Sequence, residues 1–119
     1  MGSFCVSISH AKDNVDKATV AFVVANAAVG SDQDTTVFVS SEGVHLATQG
    51  YADDMHEEGF APLKELIDSF VEAGGKIWVC SPCFKKRGYT EDQLIEGTTM
   101  VGGAKLVELL AGGAAHVSY

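Results

Sequence analysis

Short β-prone runs alternate with helix-length segments along this chain, and that alternation limits the folds open to it. The runs are Phe4–Ser9 (FCVSIS), Thr35–Ser40 (TTVFVS), Lys76–Cys80 (KIWVC), Thr98–Val101 (TTMV) and Ala114–Ser118 (AAHVS). Most combine β-branched, aromatic or small apolar residues in runs short enough to be strands. They read as mostly apolar rather than as a clean polar–apolar alternation, which suits strands covered on both faces. Strand–helix alternation of this kind builds an α/β protein with right-handed crossovers. The expected architecture is a three-layer α/β/α sandwich around a mostly parallel five-stranded sheet, formed as one domain over residues 1–119. With 119 residues, 46% of them hydrophobic, the chain has material for a core and is not disordered.

The segments between the runs carry helix signals. Asp13 or Asn14 is a candidate N-cap. Val15, Ala18, Thr19, Phe22, Ala25, Ala28 and Val29 follow at helical spacing, and Gly30 is the expected C-cap. Pro62 opens a second helix with a stripe of Leu63, Leu66, Ile67, Phe70 and Val71, ended by Gly74-Gly75. Ser81 to Arg87 reads as a helical turn closed by Gly88. Thr90-Glu91-Asp92-Gln93 matches a capping box and predicts a short helix to about Glu96. Ala104–Ala111 is a last helix, with Leu106, Val107, Leu109 and Leu110. The stretch from Ser41 to Ala61 is the least regular, with Gly43, Gly50, Gly59 and the acidic residues Asp53, Asp54, Glu57 and Glu58. It predicts a short helix near Val44–Thr48 and then a mobile, lid-like acidic loop.

Charge narrows the classes of partner. Eight Lys and Arg against sixteen Asp and Glu give a formal charge of −8. Nucleic acid is therefore not expected as a partner, because phosphate binding needs a basic footprint. A membrane is not expected either. The most apolar stretch, Thr19–Val29, is broken by Asn26 and falls short of the roughly 20 residues a span requires. No secretory leader is visible, and three cysteines are an odd number for a disulfide framework. A cytoplasmic, thiol-reducing setting is the expectation.

Sites in open α/β sheets form outside the carboxyl ends of the strands. That rule selects His10, Ser41, Gly43, Cys80 and Cys83. Cys80 lies where a strand turns into a helix, and Lys85, Lys86 and Arg87 follow within two turns. They are three of the eight basic residues. A helix N-terminus and nearby cations both favour thiolate, so Cys80 is expected to be the acidic, reactive thiol. His10 is a candidate partner for it. Cys5, inside an apolar strand, reads as a buried structural thiol, and His116 as a structural residue of the last strand.

Cys80 and Cys83 form a C-x-x-C with Trp78 just before it, which resembles a thioredoxin active site. The chain lacks a third proline that could serve as the cis-proline of that fold, since Pro82 lies within the motif and Pro62 opens a helix. A reversible Cys80–Cys83 disulfide nevertheless fits the spacing. No metal is expected, because the sequence has no second C-x-x-C and no H-x₃₋₅-H. No cofactor is expected, since neither G-x-G-x-x-G nor a Walker loop occurs.

Several motifs in order resemble the DsrE/DsrF-like sulfur-relay family, which includes the YchN-like and TusD-like proteins. They are Gly43-Val44-x-Leu46-Ala47, Gly74-Gly75-Lys76-Ile77, Val79-Cys80 with Lys86-Arg87-Gly88, and Leu94-Ile95-Glu96-Gly97. Val101-Gly102-Gly103-Ala104, Leu106–Leu110 and a terminal strand ending at Tyr119 complete the set. The resemblance implies the α/β/α fold and homo-oligomers (dimers, trimers or hexamers). It also implies sulfur carried as a persulfide on Cys80, passed between donor and acceptor proteins. Cys83 departs from the family pattern and leaves two chemistries open: sulfur carriage on Cys80 alone, or thiol–disulfide exchange using both cysteines. A non-catalytic oligomeric binding module is the third reading.

Overall fold

Five parallel strands build one sheet in a computed structural model that describes residues 2–119. The strands are β1 (Ser3–Ile8), β2 (Asp34–Val39), β3 (Lys76–Cys80), β4 (Thr98–Val101) and β5 (Ala115–Ser118). Their order across the sheet is β4-β3-β2-β1-β5. The helices are α1 (Val15–Gly30), α2 (Leu63–Glu72), α3 (Ser81–Lys86) and α4 (Gly103–Ala111). All neighbouring strands pair in parallel, as the two-sided apolar character of the runs requires.

The period-2 alternation of the strands divides the residues between two cores. Val6, Ile8, Val37, Val39, Ile77 and Val79 point to one face and are buried there by α1 and α2. Phe22 of α1 and Phe70 of α2 meet edge to face at 5.9 Å between ring centroids. Cys5, Phe38 and Val101 point to the opposite face, where Leu106, Leu109 and Leu110 of α4 pack against them. That second layer is thin: no residue of α4 is buried, and Val107 is 65% exposed. No helix among the described residues is long and apolar enough to cross a membrane.

Asn26, the polar interruption of α1, donates from Nδ2 to the carbonyls of Phe22 and Leu66, both at 2.9 Å. It therefore ties α1 to α2 without leaving a buried amide unpaired. The N-cap of α1 is Asn14, whose side chain accepts from the Lys17 N–H. At the other end the helix runs through Gly30, and Asp32 takes the left-handed turn with φ 63°. Aspartate tolerates that region better than most residues, which is why the expected glycine cap is not needed.

Two expectations are corrected. The stretch after the helix expected near Val44–Thr48 is not all loop. That helix is a 3₁₀ helix over Ser41–Ala47, a second one follows at Tyr51–Asp54, and Val44, Leu46, Ala47, Ala52 and Met55 are buried against the main core. The short helix expected after Thr90 is a single 3₁₀ turn, Glu91–Gln93, although the capping box itself is formed. The chain is then drawn into an antiparallel bridge, Thr48 with Leu94, supported by Gln49 N–H to Gln93 O and Ile95 N–H to Ala47 O. Those tertiary bonds take the groups a longer helix would have used.

A cysteine pair at the end of β3

Cys80 is the last residue of β3 and the N-cap of α3, and Cys83 lies one turn into that helix. The Cys80 Sγ donates to the Cys83 Sγ across 3.0 Å. Both are free thiols, partly exposed, whereas Cys5 is fully buried as expected. Phe84 anchors the turn in the core and stacks on Tyr89 at 5.0 Å.

The electrostatics of the pair differ from the sequence expectation. Burial pushes the Cys80 thiol up, and donating its proton to Cys83 pushes it further; the Cys83 N–H and Arg87 pull down and lose. Burial also opposes ionisation of Cys83. There it is outweighed by the S–H received from Cys80, the Ser41 N–H and the charges of Arg87 and Lys86, so Cys83 is the depressed thiol. Of the two thiols, Cys83 is therefore the first to lose its proton, while Cys80 keeps its own. α3 spans only six residues and has Pro82 in its first turn, so its terminus offers Cys80 little stabilisation.

Arg87 is held in place rather than free. Its Nε and Nη2 donate to Glu42 Oε2 at 3.0 and 2.8 Å, and its Nη1 donates to the Cys83 carbonyl at 3.1 Å. Glu42 Oε1 lies 3.5 Å from His45 Nε2, and His45 Nδ1 shares a 2.6 Å hydrogen bond with the Tyr89 hydroxyl. The His45 ring stacks on Tyr51 at 4.9 Å. A continuous chain of contacts therefore runs from Tyr89 through His45, Glu42 and Arg87 to Cys83. Tyr51 and Tyr89 also line an open cleft of about 630 Å³, which neither cysteine lines.

The other candidates sort by strand order. Ser41 follows β2, the neighbour of β3, and sends its N–H toward Cys83 from a left-handed backbone with φ 51°. That conformation is rare for a residue with a side chain. Gly43 is structural: a Cβ there would lie 2.2 Å from the Ile8 carbonyl oxygen. Lys86 is exposed and acts on Cys83 through its charge, while Lys85 is exposed without such a role. His10 is not in the site. It follows the end of β1, two strand spacings or about 10 Å of sheet from β3. It pairs instead with Asp13 at 2.6 Å, and together with the Ala11 N–H it holds the Asp13 carboxyl below its usual range. His116, on β5, bonds Ser7 Oγ at 2.7 Å and is exposed. Among the described residues, no three His, Cys, Asp or Glu side chains gather as a metal-ligand set.

Sequence reasoning missed Glu42, His45, Tyr51 and Tyr89 as a unit. The available signal was Glu42 and His45 three residues apart just after a strand end. Their partners Arg87 and Tyr89 stand 45 and 44 positions away.

Comparison with known proteins agrees with this architecture. The E. coli ychN protein superimposes with a TM-score of 0.84 at 16% identity, covering 100% of both chains. The MTH1491 protein of Methanobacterium thermoautotrophicum, of unknown function, gives a TM-score of 0.70 at 16% identity, covering 99% of this chain and 98% of that one. In sequence, the uncharacterized protein MJ0760 of Methanocaldococcus jannaschii is 30% identical over 98 residues, 82% of this chain but 36% of its own length. The chain thus spans about a third of that relative. The uncharacterized protein MK0008 of Methanopyrus kandleri is 30% identical over 95 residues, 80% of this chain and 75% of its own length. A model of the DsrE/DsrF-like family matches residues 2–119, and the chain belongs to that family.

Proposed function

We propose that this domain is a sulfur-relay protein that takes sulfane sulfur from a donor protein as a persulfide on Cys80 and yields it to an acceptor thiol. The observation that carries the reading is the 3.0 Å thiol pair beside an anchored Arg87. As the Cys80 sulfur attacks the outer sulfur of a donor persulfide, its proton passes to Cys83. A new S–S bond forms at Cys80, and the donor leaves as a thiolate. Arg87 and Lys86 steady the negative charge throughout, as cations beside a thiolate do. Transfer to the acceptor repeats the exchange in reverse. The donor and acceptor are proteins, the setting is the reducing cytoplasm, and the domain works as a homo-oligomer.

The test is mass spectrometry after incubation with a persulfide donor such as a loaded cysteine desulfurase. The expected result is one added sulfur atom on Cys80, absent in Cys80→Ser. Equal failure of the wild type and Cys80→Ser to load would overturn the proposal. The short thiol–thiol distance also favours a second reading, a dithiol redox protein without sulfur cargo. That reading expects an intramolecular disulfide on oxidation but no added sulfur from the donor.

A further inference from the structure

The second cysteine gives the site a step that a single-cysteine carrier lacks. We infer that Cys83 resolves the Cys80 persulfide within the same chain and releases the sulfur as hydrosulfide, so that the domain acts as a sulfide-releasing terminus as well as a relay. The inference rests on the persulfide reading above. Its geometric basis is that the Cys83 Sγ already lies 3.0 Å from the Cys80 Sγ, the atom it must attack. Cys83 holds the proton it took from Cys80 during loading; passing that proton to the outer sulfur of the persulfide makes Cys83 the nucleophile, and the Ser41 N–H, Arg87 and Lys86 all favour thiolate there. Arg87 is held by Glu42 and bound to the Cys83 carbonyl, which fixes its charge next to the same residue.

The step balances within the site. The Cys83 thiolate attacks the Cys80 Sγ, forming a Cys80–Cys83 disulfide. The bond between Cys80 Sγ and the outer sulfur breaks, and the outer sulfur leaves with the bonding pair as HS⁻. The sulfane sulfur is reduced to sulfide, and the two cysteine sulfurs are oxidised to the disulfide. No other reagent enters this step. Restoring the dithiol takes two electrons, which a cellular dithiol reductant supplies by thiol–disulfide exchange. A C-x-x-C spacing permits such a bond, and the attack needs the outer sulfur to point away from Cys83, toward the exposed side of Cys80. Attack on the outer sulfur instead would only move the persulfide to Cys83 and release nothing.

The experiment loads reduced protein with a limiting persulfide donor, removes the donor, and follows free sulfide and protein mass together. The wild type is expected to release close to one sulfide per sulfur loaded and to end as the intramolecular disulfide. Cys83→Ser is expected to load on Cys80, keep the added sulfur, and release at least tenfold less sulfide. Adding a dithiol reductant with excess donor should make release by the wild type continue past one equivalent. If the wild type loads and holds its sulfur on Cys80, or moves it to Cys83 without sulfide, the inference is overturned while the relay reading stands. If no sulfur loads on either cysteine, the relay reading itself fails.

Discussion

Arg87 shows how a single side chain sets the chemistry of its neighbour. Three of its nitrogens are engaged, two by Glu42 and one by the Cys83 carbonyl, and its charge helps hold the Cys83 thiol down. Arg87→Ala is expected to raise the pH at which Cys83 becomes alkylated. Arg87→Lys should fall between, because lysine keeps the charge but not the planar fork. Mass mapping of iodoacetamide adducts across a pH series reads this, and an unchanged Cys83 profile in Arg87→Ala would contradict it. The sign of the stability linkage follows. A depressed thiol adds stability above the unfolded thiol pKa and loses it as pH falls through the folded value. Cys5 and Cys80, both raised chiefly by burial, act in the opposite sense: their contribution is present at lower pH and is lost on alkalinisation. The cysteines and the basic triplet were legible from spacing and composition. Which thiol carries the charge was not, because that depends on a backbone amide from Ser41 and on which sulfur donates to the other. Neither is a property of the local sequence.

At the scale of elements, every strand and the three longer helices could be read from the sequence, while the segment between β2 and α2 was legible only as a short helix near Val44–Thr48. Its glycines and acidic residues suggested a loop after that helix, yet Ala52 and Met55 beyond it are buried. A 3₁₀ helix has three residues per turn and runs for only a few, so it leaves no 3.6-residue stripe to detect. Gly43 shows how tightly this segment is seated. Its missing Cβ would meet the Ile8 carbonyl oxygen at 2.2 Å, with the Ile8 carbonyl carbon at 3.0 Å, and backbone cannot swing aside as a side chain can. Gly43→Ala is expected to cost about 1–3 kcal/mol, the range for forced overpacking. Gly102→Ala is the control: nothing lies within 4 Å of its added Cβ, so it should stay within about 0.5 kcal/mol. Urea midpoints at unchanged slope measure both. Because Glu42 and Ser41 precede Gly43 in the same turn, Gly43→Ala should also raise the pH at which Cys83 becomes alkylated. A large loss of stability with an untouched thiol profile would separate the turn from the site.

The whole molecule is unevenly covered. α1 and α2 bury one face of the sheet fully, but α4 alone lies on the other and buries none of its own residues. Val107 is 65% exposed, and Leu106, Leu109 and Leu110 are only partly buried beside the half-buried Trp78. The sequence showed an apolar last helix, and apolar Gly/Ala-rich helices of this kind suggest association. Only the strand order reveals that this helix stands alone, because β4 and β5 are the two edges of the sheet and α4 is the single crossing between them. A second copy of the chain packing on α4 would cover the apolar residues and bring β3, with Trp78 and Cys80, near the subunit boundary. Val107→Glu tests this. On a monomer, so exposed a substitution should change stability by no more than about 0.5 kcal/mol and leave the native mass alone. In an oligomer it buries a charge without a partner, which is strongly unfavourable. The expected result is a wild type of native mass at least twice that of one chain, and a Val107→Glu variant reduced to one chain. The variant should keep the wild-type far-ultraviolet circular dichroism, which shows that the protomer still folds. A wild type already at the mass of one chain, or a variant that stays assembled, would move the contact off α4. Sulfur loading of the dissociated variant then has a direct meaning. If loading on Cys80 survives, the thiol pair works within one protomer, and assembly serves delivery rather than the exchange itself.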